Sequence, residues 1–286
     1  MCGRFTETAA FDVLAERFGI EVVDADTREL FGRYNVAPSQ LVPIVIAPDG
    51  RRRLLAARWG LRPFWARHGK IAPINVQAET VATSRMFRDV LRYTRCLIPA
   101  DGFYEWQSIP GLKRKRPHYF RLKDGRQFAF AGLYTPPQPE RDILATCAII
   151  TTIPNEVAAP IHNRMPVILD ANHERRWLNP FFVTAADVLP CLLSLPAERM
   201  EAFPVSTLVS SLQQEGRQLI AGAAFGVGEH QQHAATPEVV QRQLAPVDPR
   251  QPEFGRPGAG LQPVAVQATA SQRGIAFSGF RRSTVC

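Results

Sequence analysis

VPIVIAPDGRRRLLAARW, residues 42–59, decides the fold class. Two β-prone runs flank Asp49-Gly50, and an Asp-Gly pair in that setting is a strong short-range hairpin signal, because the tight turn needs residues at ease with positive φ. HYFRLKDGRQFAFAGLY (118–134) repeats the pattern around Asp124-Gly125 and reads as a second hairpin. Upstream, Phe11, Leu14, Ala15 and Phe18 recur at helical spacing behind a Thr, which predicts a first helix within 8–18. TVATSRMFRDVLRY (80–93) reads as a helix beginning at about Glu79, with Met86, Val90 and Tyr93 on its buried side. LATCAIITT and MPVIL read as buried strands, TAADVLPCLLSL as a short helix interrupted near Pro190, and TPPQPERD as a surface loop. Hairpins dominate and no regular βαβ alternation appears, so one α+β domain is expected rather than a doubly wound sheet.

The 286 residues, 45% of them hydrophobic, can bury a real core. No apolar run approaches a membrane span and no signal-peptide pattern opens the chain, so a cytoplasmic protein is expected. Cys2, Cys96, Cys147, Cys191 and Cys286 show no CxxC pairing and no metal spacing with the six histidines, which argues against disulfides, structural zinc or any resident cofactor. The net charge of +8 favours a polyanionic partner. After about Ile220 lysine disappears while Gln, Pro, Ala and Gly crowd the chain without a period, so 2–220 is read as the domain and 221–286 as a largely disordered tail. The tail offers a place for contact with the replication machinery. Its run IAFSGF (275–280) is either a docking motif or a stray apolar cluster.

The chain opens MCGRFT. A small second residue permits removal of Met1, and Cys2 then carries a free α-amine, with a pKa of about 7.7–8.0, beside a thiol near 8.5. Both are partly nucleophilic at neutral pH. Four segments place reactive or orienting side chains among turns and aromatics: YNVAPSQ (34–40), INVQAET (74–80), LIPADGFYEW (97–106) and IHNRMPVIL (161–169). Asn75 alone is as readily a turn residue, and His162 alone as readily a structural donor. Glu105 lies between Tyr104 and Trp106 at the end of an apolar run, where burial would raise its pKa, although period two also permits a solvent face.

Taken in order, MCGRF, RYNVAP, RWGLRPFW, N75 with AET, TSRMF, PADGFYEW, AGLY, IHNRMPVIL and PVST resemble the SOS response-associated peptidase (SRAP) family of abasic site processing proteins, from Cys2 to about Val209. The resemblance implies a compact domain with a barrel-like antiparallel β core and peripheral helices. It implies covalent capture of abasic sites in single-stranded DNA, with Cys2, Asn75, Glu105 and His162 as reactive residues. DNA contacts are implied at Arg4, Asn35, Trp65, Arg85, Trp106 and Arg164. The chain departs from the family pattern at Gln77, where an Arg is expected, and at Ser210, where an Asn is expected. A monomer is expected, associated with the nucleoid when bound to DNA.

A 1,2-aminothiol suits the aldehyde of an opened abasic sugar: the amine condenses to an imine and the adjacent thiol closes a thiazolidine, an intramolecular step with a high effective concentration. Glu105 would move protons, His162 would assist at the sugar oxygen, Asn75 would orient the amine and Gly3 would give the backbone room. Trp65 and Trp106 would stack or wedge. The runs Arg51 to Arg53 and Lys113 to Arg116 are read equally as solvated loops or as DNA-steering charge. Two other thiol chemistries stay open: an N-terminal-cysteine amidohydrolase of the glutaminase type, and a self-processing peptidase that removes its own Met1.

Overall fold

The structure is a computed structural model that describes residues 2–63, 71–141 and 143–223. The strands are β1 (Phe5–Glu7), β2 (Val22–Val23), β3 (Arg33–Val36), β4 (Leu41–Ile46), β5 (Arg53–Trp59), β6 (Asn75–Gln77), β7 (Arg95–Ala100), β8 (Gly102–Gln107), β9 (Arg116–Leu122), β10 (Phe128–Thr135), β11 (Thr146–Thr152), β12 (Met165–Pro166), β13 (Ile168–Leu169) and β14 (Met200–Pro204). The helices are α1 (Phe11–Phe18), α2 (Arg88–Tyr93), α3 (Ala171–Leu178) and α4 (Ala185–Val188). The chain is α+β, as its hairpin-rich pattern predicts.

Strands β11, β10, β7, β4 and β5 pair in that order, and β5 pairs with β11 again, so the larger sheet closes into a five-stranded barrel. The closing β5–β11 pair is parallel, as are β6 and β2 where they join; the other barrel pairs are antiparallel, which is the expected barrel-like antiparallel core. Both faces of the barrel strands are apolar and buried. Ile44, Ile46, Cys96, Ile98, Phe128, Phe130, Cys147 and Ile149 belong to one cluster; the alternate residues Val45, Leu97, Ala129, Ala131, Ala148 and Ile150 belong to a second, packed with Leu14, Phe18 and Trp177 of the helices. Period two explains the division.

The Asp49-Gly50 turn joins β4 to β5 as a true hairpin, with Gly50 at φ +84°. The turn at Asp124-Gly125 also forms, with Gly125 at φ +68°, but the expected hairpin does not: β9 pairs with β8 and β14, while β10 enters the barrel. All eight residues of β10 are buried, a demand met by two flanking barrel strands and not by one exposed partner. The helix expected over 80–93 shortens to Arg88–Tyr93 behind turns, and Tyr93 is exposed; Val90 and Leu91 are the buried pair. The helix of 184–195 does break before Pro190, as expected.

The smaller sheet has the order β14-β9-β8-β1-β3. Its inner face gives Phe5, Phe103 and Phe120 to the barrel-side cluster, and its outer face gives Tyr104 and Tyr119 to a third cluster under Val205, Val209 and Leu219. At Gly102 a Cβ would meet the Tyr119 hydroxyl at 2.1 Å, and that hydroxyl bonds Thr6 Oγ1 at 2.9 Å. Gly102→Ala is therefore expected to cost about 2–3 kcal/mol by overpacking, read as a lower midpoint in chemical denaturation. At the last described residues, Ala223 N–H donates to Pro204 O and Gly222 bridges Val205. The remainder of the expected tail, 224–286, lies outside the described residues, as does IAFSGF. Among the described residues no helix is long and apolar enough to cross a membrane.

Candidate active site

The site is assembled from alternation along strands. On β8, Tyr104 and Trp106 face the outer cluster, which puts Phe103 and Glu105 on the inner face with Cys2. β1 runs antiparallel to β8 with Phe5 opposite Phe103 and Tyr104 N–H donating to Arg4 O, so the residues before β1 pass alongside Glu105. On β6, Val76 belongs to the second cluster, with the helices, leaving Asn75 on the opposite side. Its Nδ2 donates to Cys2 O at 2.8 Å, and its Oδ1 is buried with no hydrogen-bond partner among the described residues.

His162 hangs from the 153–164 turn between β11 and β12. Asn155 builds that turn: its side-chain oxygen accepts from Val157 N–H and Ala158 N–H, and its amide donates to Leu195 O. His162 Nε2 lies 3.8 Å from Glu105 Oε2, while Nδ1 accepts from Arg164 N–H at 3.1 Å. In the tautomer whose Nδ1 accepts from Arg164 N–H the ring proton is on Nε2, facing the carboxyl group; in the other, Nδ1–H donates to Arg164 O at 3.2 Å.

The electrostatics follow from burial. The Glu105 carboxyl group is pushed up to about 7 by desolvation, with nearby positive charge, Lys115 included, pulling the other way. Burial lowers the pKa of His162, so the ring is neutral at pH 7. Cys2 is fully buried, and desolvation, reinforced by the Glu105 charge, raises its thiol far above the usual range. The thiol is thus held protonated, beside a carboxyl group poised to exchange protons near neutrality.

The residues expected to touch DNA fare differently. Arg4 Nη1 donates to Asn35 Oδ1 and to Val209 O, both at 2.7 Å, and Asn35 Nδ2 donates to Ser211 O and Gln214 O. These two side chains latch the 207–214 segment beside the chain start. Trp106 Nε1 donates to Ser210 Oγ at 3.1 Å, so the serine that stands where an Asn is expected supplies an acceptor. Arg164 makes a two-pronged pair with Glu79 at 2.8 and 2.9 Å and also reaches Thr151 O. Arg85 is exposed on the turn before α2, and Gln77 is exposed at the end of β6. Trp65 lies outside the described residues. Sequence reading missed Asn155 and Glu79; Pro154-Asn155 ahead of IHNRM was the available signal for the first. Among the described residues no disulfide forms and no cluster of His, Cys, Asp and Glu could hold a metal.

The family model described as SOS response associated peptidase (SRAP) matches residues 1–212. The chain belongs to the SRAP family. Among its relatives, "Abasic site processing protein YoqW" of Bacillus subtilis (strain 168) is 46% identical over 224 residues, covering 77% of this chain and 99% of that one. "Abasic site processing protein YedK" of Escherichia coli (strain K12) is 30% identical over 225 residues, with the same two coverages. "Abasic site processing protein HMCES" of Gallus gallus is 28% identical over 227 residues, 68% of this chain and 67% of its own. Among solved structures, an X-ray structure of a protein from Bacteroides thetaiotaomicron superposes with a TM-score of 0.69 at 26% identity, covering 78% of this SRAP chain and all of the other.

Proposed function

We propose that this chain processes abasic sites in single-stranded DNA, acting as a monomer that captures the lesion covalently through Cys2 once Met1 is removed. The observation that carries the reading is the convergence on Cys2 of an orienting amide, a carboxyl group with a pKa near 7 and a neutral imidazole, in a chain whose relatives are abasic site processing proteins. The buried protonated thiol favours attack by the α-amine first. Asn75 Oδ1, an acceptor without a donor, would receive an N–H of that amine and aim its lone pair at the sugar C1′ aldehyde.

The proton balance fits one carboxyl group. Addition of the amine to C1′ gives a carbinolamine; Glu105 in its acid form gives a proton to the departing hydroxyl, which leaves as water, and the N-protonated imine forms. The Glu105 carboxylate then takes the Cys2 thiol proton as sulfur bonds to C1′, closing the thiazolidine and restoring the acid. His162 Nε2–H, on the same carboxyl group, donates to the sugar O4′ or hydroxyl oxygen as charge develops there. Trp106 and Arg85 would present a stacking face and a phosphate contact.

The test is incubation of the purified chain with a single-stranded oligonucleotide carrying one abasic site, followed by a denaturing gel. A slower band that survives denaturation is expected with the abasic strand and not with the intact one. Equal retention of both strands, or release of ammonia from glutamine at rates typical of an amidohydrolase, would overturn the reading.

A further inference from the structure

Of the chain's two basic runs, one is spent internally. Arg51 pairs with Glu21, Arg53 with Asp49, and Arg52 donates to Phe18 O. The other run differs in every respect. Lys113, Arg114 and Lys115 are exposed, and no carboxylate among the described residues lies within salt-bridge distance of them. From Trp106 to Lys123 the sequence contains no acid.

The fold carries this run to the reacting centre. In the β8–β9 ladder Glu105 lies opposite His118, Trp106 opposite Pro117 and Gln107 opposite Arg116, so Lys115 stands at the mouth of the hairpin, one step beyond the last pair. The loop is shaped by a turn at Pro110-Gly111, with Gly111 at φ +82° and Leu112 N–H donating to Ile109 O, which suits proline followed by glycine. Gln107 Nε2 donates to Pro160 O at 3.0 Å, fastening the hairpin mouth to the turn that bears His162. The Lys115 charge acts on both Glu105 and His162.

We propose that the β8–β9 loop, through Lys113, Arg114 and Lys115, is the wall of the site that takes the phosphates of the captured strand, with Lys115 nearest the reacting sugar. This rests on the reading of the chain as a single-strand capture protein. Unpaired cations beside a buried acid match a polyanion whose phosphates flank the reacting sugar, and the half-buried Trp106 on the same hairpin adds a flat surface for a base. The loop charge also bears on the chemistry. Glu105 faces Cys2 and the N-terminal amine on the chain start, His162 on the 153–164 turn, His118 across the ladder and Lys115 at the loop, and the positive charges of the amine and of Lys115 oppose the desolvation that raises its pKa. A phosphate on Lys115 would offset that cation and favour the acid form of Glu105, the form that imine formation consumes.

Two measurements test the wall separately from the capture chemistry. Noncovalent binding to an unmodified single strand is followed by fluorescence anisotropy against salt. The log-log slope of the wild type should flatten by about 0.7 in Lys115→Ala and by up to twice that in the Lys113→Ala/Arg114→Ala double variant, while Arg51→Ala leaves it unchanged. Slopes equal to wild type in both loop variants overturn the wall. The second measurement is the pH dependence of capture of an abasic strand: Lys115→Ala should move the high-pH limb upward, and Lys115→Arg should restore it. A limb that does not move overturns the placement of Lys115 beside the acid. If the loop variants flatten the slope but the wild type forms no adduct, the wall stands and the covalent reading falls.

Discussion

Cys2→Ala is expected to abolish the denaturation-resistant adduct while leaving binding to single strands near wild type. Alanine is as small as cysteine, so Met1 is still removed and a free α-amine still reaches Asn75 Oδ1 and the aldehyde. What is lost is ring closure. An imine hydrolyses readily, whereas sulfur on the adjacent carbon traps it at the effective concentration of a well-oriented intramolecular reaction, about 10⁵ M or more. Among the described residues no other thiol substitutes: Cys96 and Cys147 are fully buried in the barrel, and Cys191 is buried in the helical cluster. The measurement is a denaturing gel with and without borohydride. The variant should show no band without reductant and a weak band with it, because reduction fixes the imine. A stable wild-type-like band in Cys2→Ala would place the linkage on another residue. Intact mass gives the companion result: a wild-type chain that keeps Met1 and still forms the adduct would exclude the aminothiol chemistry.

The sequence named the candidate site more fully than the fold, for a physical reason. Cys2, Asn75, Glu105 and His162 sit in short segments whose composition suits neither a core stripe nor a plain loop; Asn75 and His162 are ambiguous taken singly, and the ordered resemblance joins the four. Period two even gave Phe103 and Glu105 a common face, and only the question of which face stayed open; packing of Phe103 with Phe5 and Phe120 settles it as the inner one. Barrel closure was not legible, because local patterning names strands and not partners. The Asp124-Gly125 turn signalled a reversal of the chain correctly, yet the strands it joins go to different sheets. Arg4 and Asn35 show the same limit: both contacts run to residues beyond position 208, across the whole domain, and no local pattern records a latch of that span. Lys115 is the converse case. Its run looked like Arg51 to Arg53 in composition, and the ion pairs of that run, the β8–β9 register and the Gln107 bond to Pro160 separate the two.

Glu105→Gln is expected to slow capture roughly 10²-fold at pH 7 and to change the form of its pH dependence, since positioned acid–base groups contribute about 10²–10⁴. In the wild type two ionisations oppose one another. The α-amine must be neutral, so the rate climbs with pH toward about 8. Glu105 must hold its proton, and because burial raises its pKa to about 7, the acid fraction falls as pH passes that value. Their product rises tenfold per pH unit below about 7, is nearly level between about 7 and 8, and declines above. Glutamine keeps the shape and the hydrogen-bonding capacity beside His162 Nε2 but has no proton to give, so the declining limb should vanish and the residual rate should rise to about pH 8 and stay level. The His162 ring, whose pKa burial lowers from the usual imidazole value, adds no limb of its own above pH 7. The check is a single-turnover capture rate from pH 5.5 to 9 at constant ionic strength, with binding of the unmodified strand as control. A Glu105→Gln profile that declines above pH 8 as the wild type does would remove Glu105 from the proton path and leave the limb to another group, and an unchanged rate at pH 7 with intact binding would confine the carboxyl group to holding the N-terminal segment in place.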